Sequence, residues 1–239
     1  MGSRAIFVVT FALLTGFASA QQAPPPAPRL ADGKPDLGGV WRPGDIFLIE
    51  DLTLGLKKGD VISLKPAAEE AMKRHLSKDD PEANCLPTGV PRHAPYPWKI
   101  IQNSTYYYFL FEGNIHSFRQ IFMDGRKHPK DPNPTWYGDS VGHWEGDTLV
   151  VDSVGFNDKF WFDFVGHPHT EQLHTIERYT RTDLNTLKEE VTIDDPGAYN
   201  HPFTIQASHR LLPGGELMEY ICQENQRDTQ HLVGPAGRP

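Results

Sequence analysis

The feature that most limits how this chain can fold is a run of short segments from Trp98 to Gln223, each rich in β-branched and aromatic residues and each bounded by Gly, Pro, Asn or Asp. Such segments read as strands and their boundaries as turns. Strands are expected at Trp98 to Asn103, Tyr106 to Glu112, Ile115 to Asp124, Thr135 to Trp144, Asp147 to Val154, Leu173 to Arg181, Leu187 to Ile193 and Leu217 to Gln223, with His201 to Leu212 as a possible addition. The turn-like Glu145-Gly146-Asp147 makes a hairpin of the middle pair. Eight or nine strands on short connections predict a mainly β protein, an antiparallel lipocalin-like barrel or a strongly bent sheet. A single amphipathic helix is expected between Pro66 and Lys78, where Ala68, Ala71, Met72, His75 and Leu76 recur at helical spacing and Pro66 suits a first turn.

Before these elements the chain changes character twice. Met1 to Ala20 has a basic Arg4, an apolar run from Ala5 to Phe17 and a small-residue end at Ala18-Ser19-Ala20, the anatomy of a cleavable signal peptide, and the run is short for a membrane span. Gln21 to Pro35 is a Pro/Ala-rich leader expected to be extended and poorly ordered, and a single domain should run from Asp36 to Pro239. The expected location is therefore periplasmic or secreted. Export puts Cys85 and Cys222 in an oxidising compartment, where a disulfide between them would close most of the domain and contribute roughly 3–5 kcal/mol.

Charge excludes some partners. Loss of the signal leaves 22 of the 23 basic residues against 31 acidic ones, a net −9 with no Lys/Arg stripe. An acidic surface of that kind argues against nucleic acid and anionic lipid, leaving a small-molecule substrate or ligand as the expected partner.

The chemistry concentrates between Pro134 and Arg181. About fifteen residues from Asn157 lack any period and carry Trp161, Asp163, His167, His169 and Glu171, as a lid over a site would. Along Leu173 to Arg181 the period of two places His174, Ile176 and Arg178 on one face and Thr175, Glu177 and Tyr179 on the other, and periodicity alone does not say which face is interior. If the first, His174 and Arg178 meet His169 of the lid. If the second, Glu177 and Tyr179 take their place. Asp163 is a further acid–base candidate. Arg119, sharing a face with Ile121 and Met123, either pairs inside with a carboxylate such as Asp139, Asp163 or Glu177, or snorkels to water. Trp136, Asp139, Trp161 and Tyr179 join Arg119 as candidate substrate contacts, and the surplus of aromatic rings suits a small, partly aromatic molecule.

Other patterns carry less. His167, His169 and His174 could converge on a metal as in cupin-like sites, yet no cupin pattern completes here and Pro168 limits how the pair can turn, and no cofactor is expected. Gly138-Asp139-Ser140-Val141-Gly142 satisfies G-x-S-x-G, but a hairpin follows where a nucleophile elbow needs a helix, so Ser140 reads as a strand serine.

Two resemblances bear on these expectations. Gly39-Val40-Trp41 resembles the G-x-W that opens the first strand of lipocalins, where the Trp closes the barrel base. The blocks DPEANCLPTGVPR, RQIFMDGRKHPKDPNPTWYGDSVGHWEGDTLVVDSVGF, GHPHTEQLHTIERYTR and EVTIDDPGAY resemble those of a large family of exported bacterial proteins with no established reaction. That resemblance spans about Asp36 to Asn225 and implies export, a β-rich domain and a shared site, with His169 the more typical of the GHPHTE histidines. The function expected is an acid–base lyase, isomerase or hydrolase; a lipocalin-like carrier and a metal-dependent enzyme are the alternatives.

Overall fold

In a computed structural model, which describes residues 23–44, 50–92, 96–113, 117–224 and 231–237, alternation of side chains across each strand builds the fold. The signal-peptide stretch, residues 1–20, lies outside the described residues. Nine strands close into one barrel in sequence order: β1 (Gly39–Pro43), β2 (Trp98–Gln102), β3 (Tyr106–Phe111), β4 (Phe118–Phe122), β5 (Asp139–Glu145), β6 (Thr148–Val154), β7 (His174–Asp183), β8 (Thr186–Asp194) and β9 (Phe203–Leu211). The barrel is lipocalin-like in its next-neighbour strand order and in carrying, among the described residues, a single α-helix, α1 (Pro66–Arg74). Inward rings and aliphatic chains, among them Trp41, Trp98, Phe109, Leu149, Val151, Tyr179, Val191 and Ile205, fill its interior. Burying each such side chain is worth about 1.5–3 kcal/mol.

The β5–β6 hairpin forms where expected, with Glu145 paired to Thr148 around two loop residues and Gly146 supplying the positive φ that its first loop position needs. The Trp41 indole is fully buried and donates to the Leu37 carbonyl at 2.9 Å, and the Arg181 guanidinium covers the ring.

Two features differ from the sequence reading, and its one optional strand is settled. Residues Leu217 to Gln223 form no strand: β9 closes the barrel on β1, so no edge remains to pair with, and the Cys85–Cys222 disulfide holds this tail outside against the loop at Asp80 to Arg92. The possible strand at His201 to Leu212 is the real one, β9. The leader is tied down at Pro25, which accepts from the Leu184 amide, and at Arg29, which forks onto Asp147 of the hairpin turn.

One pair, β4 and β5, runs parallel, and only Ile121 with Ser140 and Phe122 with Val141 are in register. Every other pair is antiparallel. A parallel pair needs a long crossover, here the Pro-rich stretch from Met123 to Gly138, and its short register leaves the two strands splayed at one end. Among the described residues no helix is long and apolar enough to cross a membrane.

Candidate functional site

Burial along β7 decides which of its faces is interior. Thr175, Glu177 and Tyr179 are buried, whereas His174, Ile176 and Arg178 are only partly so. Arg178 lies on the outer wall and donates to Glu145 at 2.6 Å. The His174 and Arg178 alternative for the interior is therefore excluded, and Glu177 and Tyr179 occupy it. Arg119 pairs inside, as one of its two expected fates: its guanidinium forks onto both Glu177 oxygens and also donates to Ser140 and Ser153. A guanidinium has five N–H groups in a fixed fork, and a buried one needs partners for most of them. Ser140 accordingly serves as a buried hydrogen-bond partner, not an exposed nucleophile.

The stretch expected to be a lid is instead part of the core. Phe160, Trp161 and Phe162 are buried, and Trp161 stacks on His75 with ring centroids 4.1 Å apart. His169 sits between Phe160 and Phe162, and burial pushes its pKa down to about 4, so it stays neutral. Asp195 and Tyr199 of the β8–β9 connection fasten the segment, Asp195 accepting from the Thr170 amide and hydroxyl and Tyr199 donating to the Pro168 carbonyl. Asp163 accepts from the Leu52, Gly166 and His167 amides and from His167 Nδ1, which makes it a structural knot.

His167, His169 and His174 do not share a centre, since each is engaged by a different group: Asp163, the Thr170 carbonyl and Asp152. The described residues do bring one ligand atom each of Asp51, Asp163 and His167 within 4.8 Å of one another. The carboxylates there already accept backbone N–H groups at Leu52, Thr53, Gly166 and His167.

What the fold does open is a groove of about 490 Å³ where β4 and β5 splay. Phe118, Phe122, Trp136 and Tyr137 form its walls, Gln120 and Asp139 offer polar groups, and edges of Arg119 and Ser140 reach it from the interior. Asp139 begins a chain of ionisable groups on the outer wall. Its Oδ1 lies 2.6 Å from His128 Nδ1, His128 Nε2 lies 3.2 Å from Asp152 Oδ1, and His174 Nε2 lies 2.7 Å from that same oxygen. All four side chains are partly exposed. A doubly protonated His128 can donate to both carboxylates. A singly protonated one leaves a lone pair facing one of them, so a proton passing to or from Asp139 can be taken up along the chain.

Three candidates from the sequence thus meet in one groove, Arg119, Trp136 and Asp139, and His174 joins them through Asp152. Glu177 and Tyr179 stand behind Arg119. Arg178, Asp163, Trp161 and His169 lie elsewhere. His128 and Asp152 escaped notice: the first sits in an aperiodic Pro-rich loop, and the second meets His174 only as a diagonal neighbour across the β6–β7 register, in which Asp152 faces Ile176. Comparison with protein-family models, with curated proteins and with solved structures finds no match.

Proposed function

We propose that this chain is an exported enzyme that moves a proton on a small, partly aromatic molecule held in the β4–β5 groove, with Asp139 as the group that touches the substrate and His128 as its proton partner. The observation that carries this reading is that a carboxylate at an aromatic-walled groove is backed, at 2.6 Å, by an imidazole whose far nitrogen meets a second carboxylate. Such a pair supplies both orientation and a place for the proton to go, the two needs of general acid–base catalysis. The rings supply dispersion and stacking contact for a flat ligand. The Cys85–Cys222 disulfide supports an oxidising compartment and hence export.

The test uses 5-nitrobenzisoxazole, a flat aromatic probe whose ring C–H proton is removed by a base as its N–O bond breaks, releasing a coloured phenolate. We expect the protein to accelerate this ring opening over the same concentration of acetate and imidazole. Asp139→Asn should reduce the rate by at least a hundredfold, within the span that one positioned acid–base group supplies. His128→Ala should reduce it and shift its pH profile. A rate equal to the buffer's, or one unchanged in Asp139→Asn, would remove the basis for catalysis in this groove.

A further inference from the structure

Deep in the barrel, a row of ionisable side chains runs from β4 to β9. Arg119 on β4 is forked onto Glu177 of β7; Tyr179 of β7 has its hydroxyl 2.7 Å from Glu177 Oε1 and 2.7 Å from Glu189 Oε1 on β8; and Glu189 Oε2 is 2.7 Å from His209 Nε2 on β9. Trp98 of β2 packs edge-on against the His209 ring at 5.3 Å. Arg119, Glu177, Tyr179, Glu189 and His209 are all nearly or fully buried.

Counting protons along this row leads to a conclusion that distances alone do not state. Burial between two carboxyl groups holds Tyr179 far above its ordinary titration range, so its oxygen carries one hydrogen. One hydrogen cannot satisfy two carboxylates. If both were ionised, one of the two contacts at 2.7 Å would set oxygen lone pairs against each other between fully buried side chains, where such an opposition is most costly. One of the carboxyls must bring a hydrogen of its own. Both Glu177 oxygens already accept from the forked, permanently charged Arg119 guanidinium, which leaves Glu189.

We propose that Glu189 is a protonated carboxylic acid at neutral pH, so that the barrel interior contains a proton-binding site formed by Glu189, Tyr179 and His209. In this arrangement the Glu189 acid donates to the Tyr179 oxygen, Tyr179 donates to Glu177, and His209 Nε2–H donates to the second Glu189 oxygen. The row then holds one positive charge on Arg119 and one negative charge on Glu177. His209 Nδ1, which is buried and makes no hydrogen bond, becomes a bare acceptor and not a stranded N–H.

The sign of the pH dependence follows. A carboxyl whose folded-state titration point is raised contributes stability that is complete below its unfolded value of about 4.3 and is lost as pH rises through the folded one. Alkaline solution should therefore loosen the barrel by stripping this proton.

Infrared spectroscopy of the full chain at pH 7, with melting curves from pH 5 to 10, tests the assignment on the wild type, Glu189→Gln and Glu177→Gln. The wild type should show the carbonyl stretch of a protonated carboxyl, and Glu189→Gln should lack it. An amide at 189 repeats the donor–acceptor pattern of the acid, so that variant should melt at or above the wild type and lose the alkaline decline. Glu177→Gln removes the counter-ion of Arg119 and should melt well below both. A wild type without the protonated band, a band that survives in Glu189→Gln, or a Glu189→Gln chain that fails to fold would each overturn the proposal.

Discussion

Replacing Arg119 by Met isolates the part of the interior on which the site rests. The methionine keeps an apolar stem of similar reach, but Glu177, fully buried, loses the guanidinium that neutralises it, and Ser140 and Ser153 lose a donor. Breaking a buried pair by removing one partner costs about 3–5 kcal/mol, most of it from the charge left behind. With a urea slope on the order of 2–3 kcal/mol/M for a chain of this size, the midpoint should fall by roughly 1–2 M. Urea unfolding followed by tryptophan fluorescence reads this directly, since Trp98 packs against Tyr179 in the same interior. Two controls fix the cause. Glu177 without its partner takes up a proton more readily, so the deficit should be larger at pH 8 than at pH 5. Arg119→Met combined with Glu177→Leu replaces the pair by apolar groups and should recover most of the loss, as such exchanges do elsewhere. A deficit below about 1 kcal/mol, one equal at both pH values, or one the second substitution leaves unrelieved would refute the claim that an orphaned charge is responsible.

Two further outcomes are expected. Replacing Cys85 and Cys222 by Ser opens a bridge between residues 137 apart, for which chain entropy sets a loss of about 5 kcal/mol as an upper value. Because Cys222 lies on a tail outside the nine strands, the observed loss should be smaller, with the β-sheet circular dichroism retained and protease cleavage appearing beyond Leu212; a melting curve unchanged by the substitutions would show that the bridge constrains nothing. His169 has its pKa lowered from 6.5 to about 4 by burial. A depressed histidine contributes stability that is present above its unfolded value and lost as pH falls, here across pH 6.5 to 4 and on the order of 3 kcal/mol. His169→Leu should flatten that acid decline in urea midpoints, and parallel declines in the two proteins would assign it to other groups.

Much of the architecture could be read from local pattern. Alternation of buried and exposed residues, the Gly146 turn and the Pro66 start of α1 are consequences of side-chain shape and backbone sterics over a few residues, so a sequence carries them openly. The choice between the two faces of β7 is not of this kind, because a period of two is blind to which side is the core. The segment from Asn157 to Gln172 reads as a lid because it lacks a period; its rings meet His75 and Tyr199 and its Thr170 is held by Asp195, residues far away in the chain. His128, Asp139, Asp152 and His174 come from a loop and three strands, and only strand register makes them neighbours.

By itself, then, the order of residues determined that strands would form and where they would turn. Closure of β9 on β1 decided the rest: with all edges used, the tail was left outside, Arg119 was committed to Glu177, and the one short parallel pairing became the place where the wall parts. The physical reason is range. Backbone preference acts over neighbouring residues, whereas pairing of charges and filling of a dry interior are settled between groups that only the closed sheet brings together.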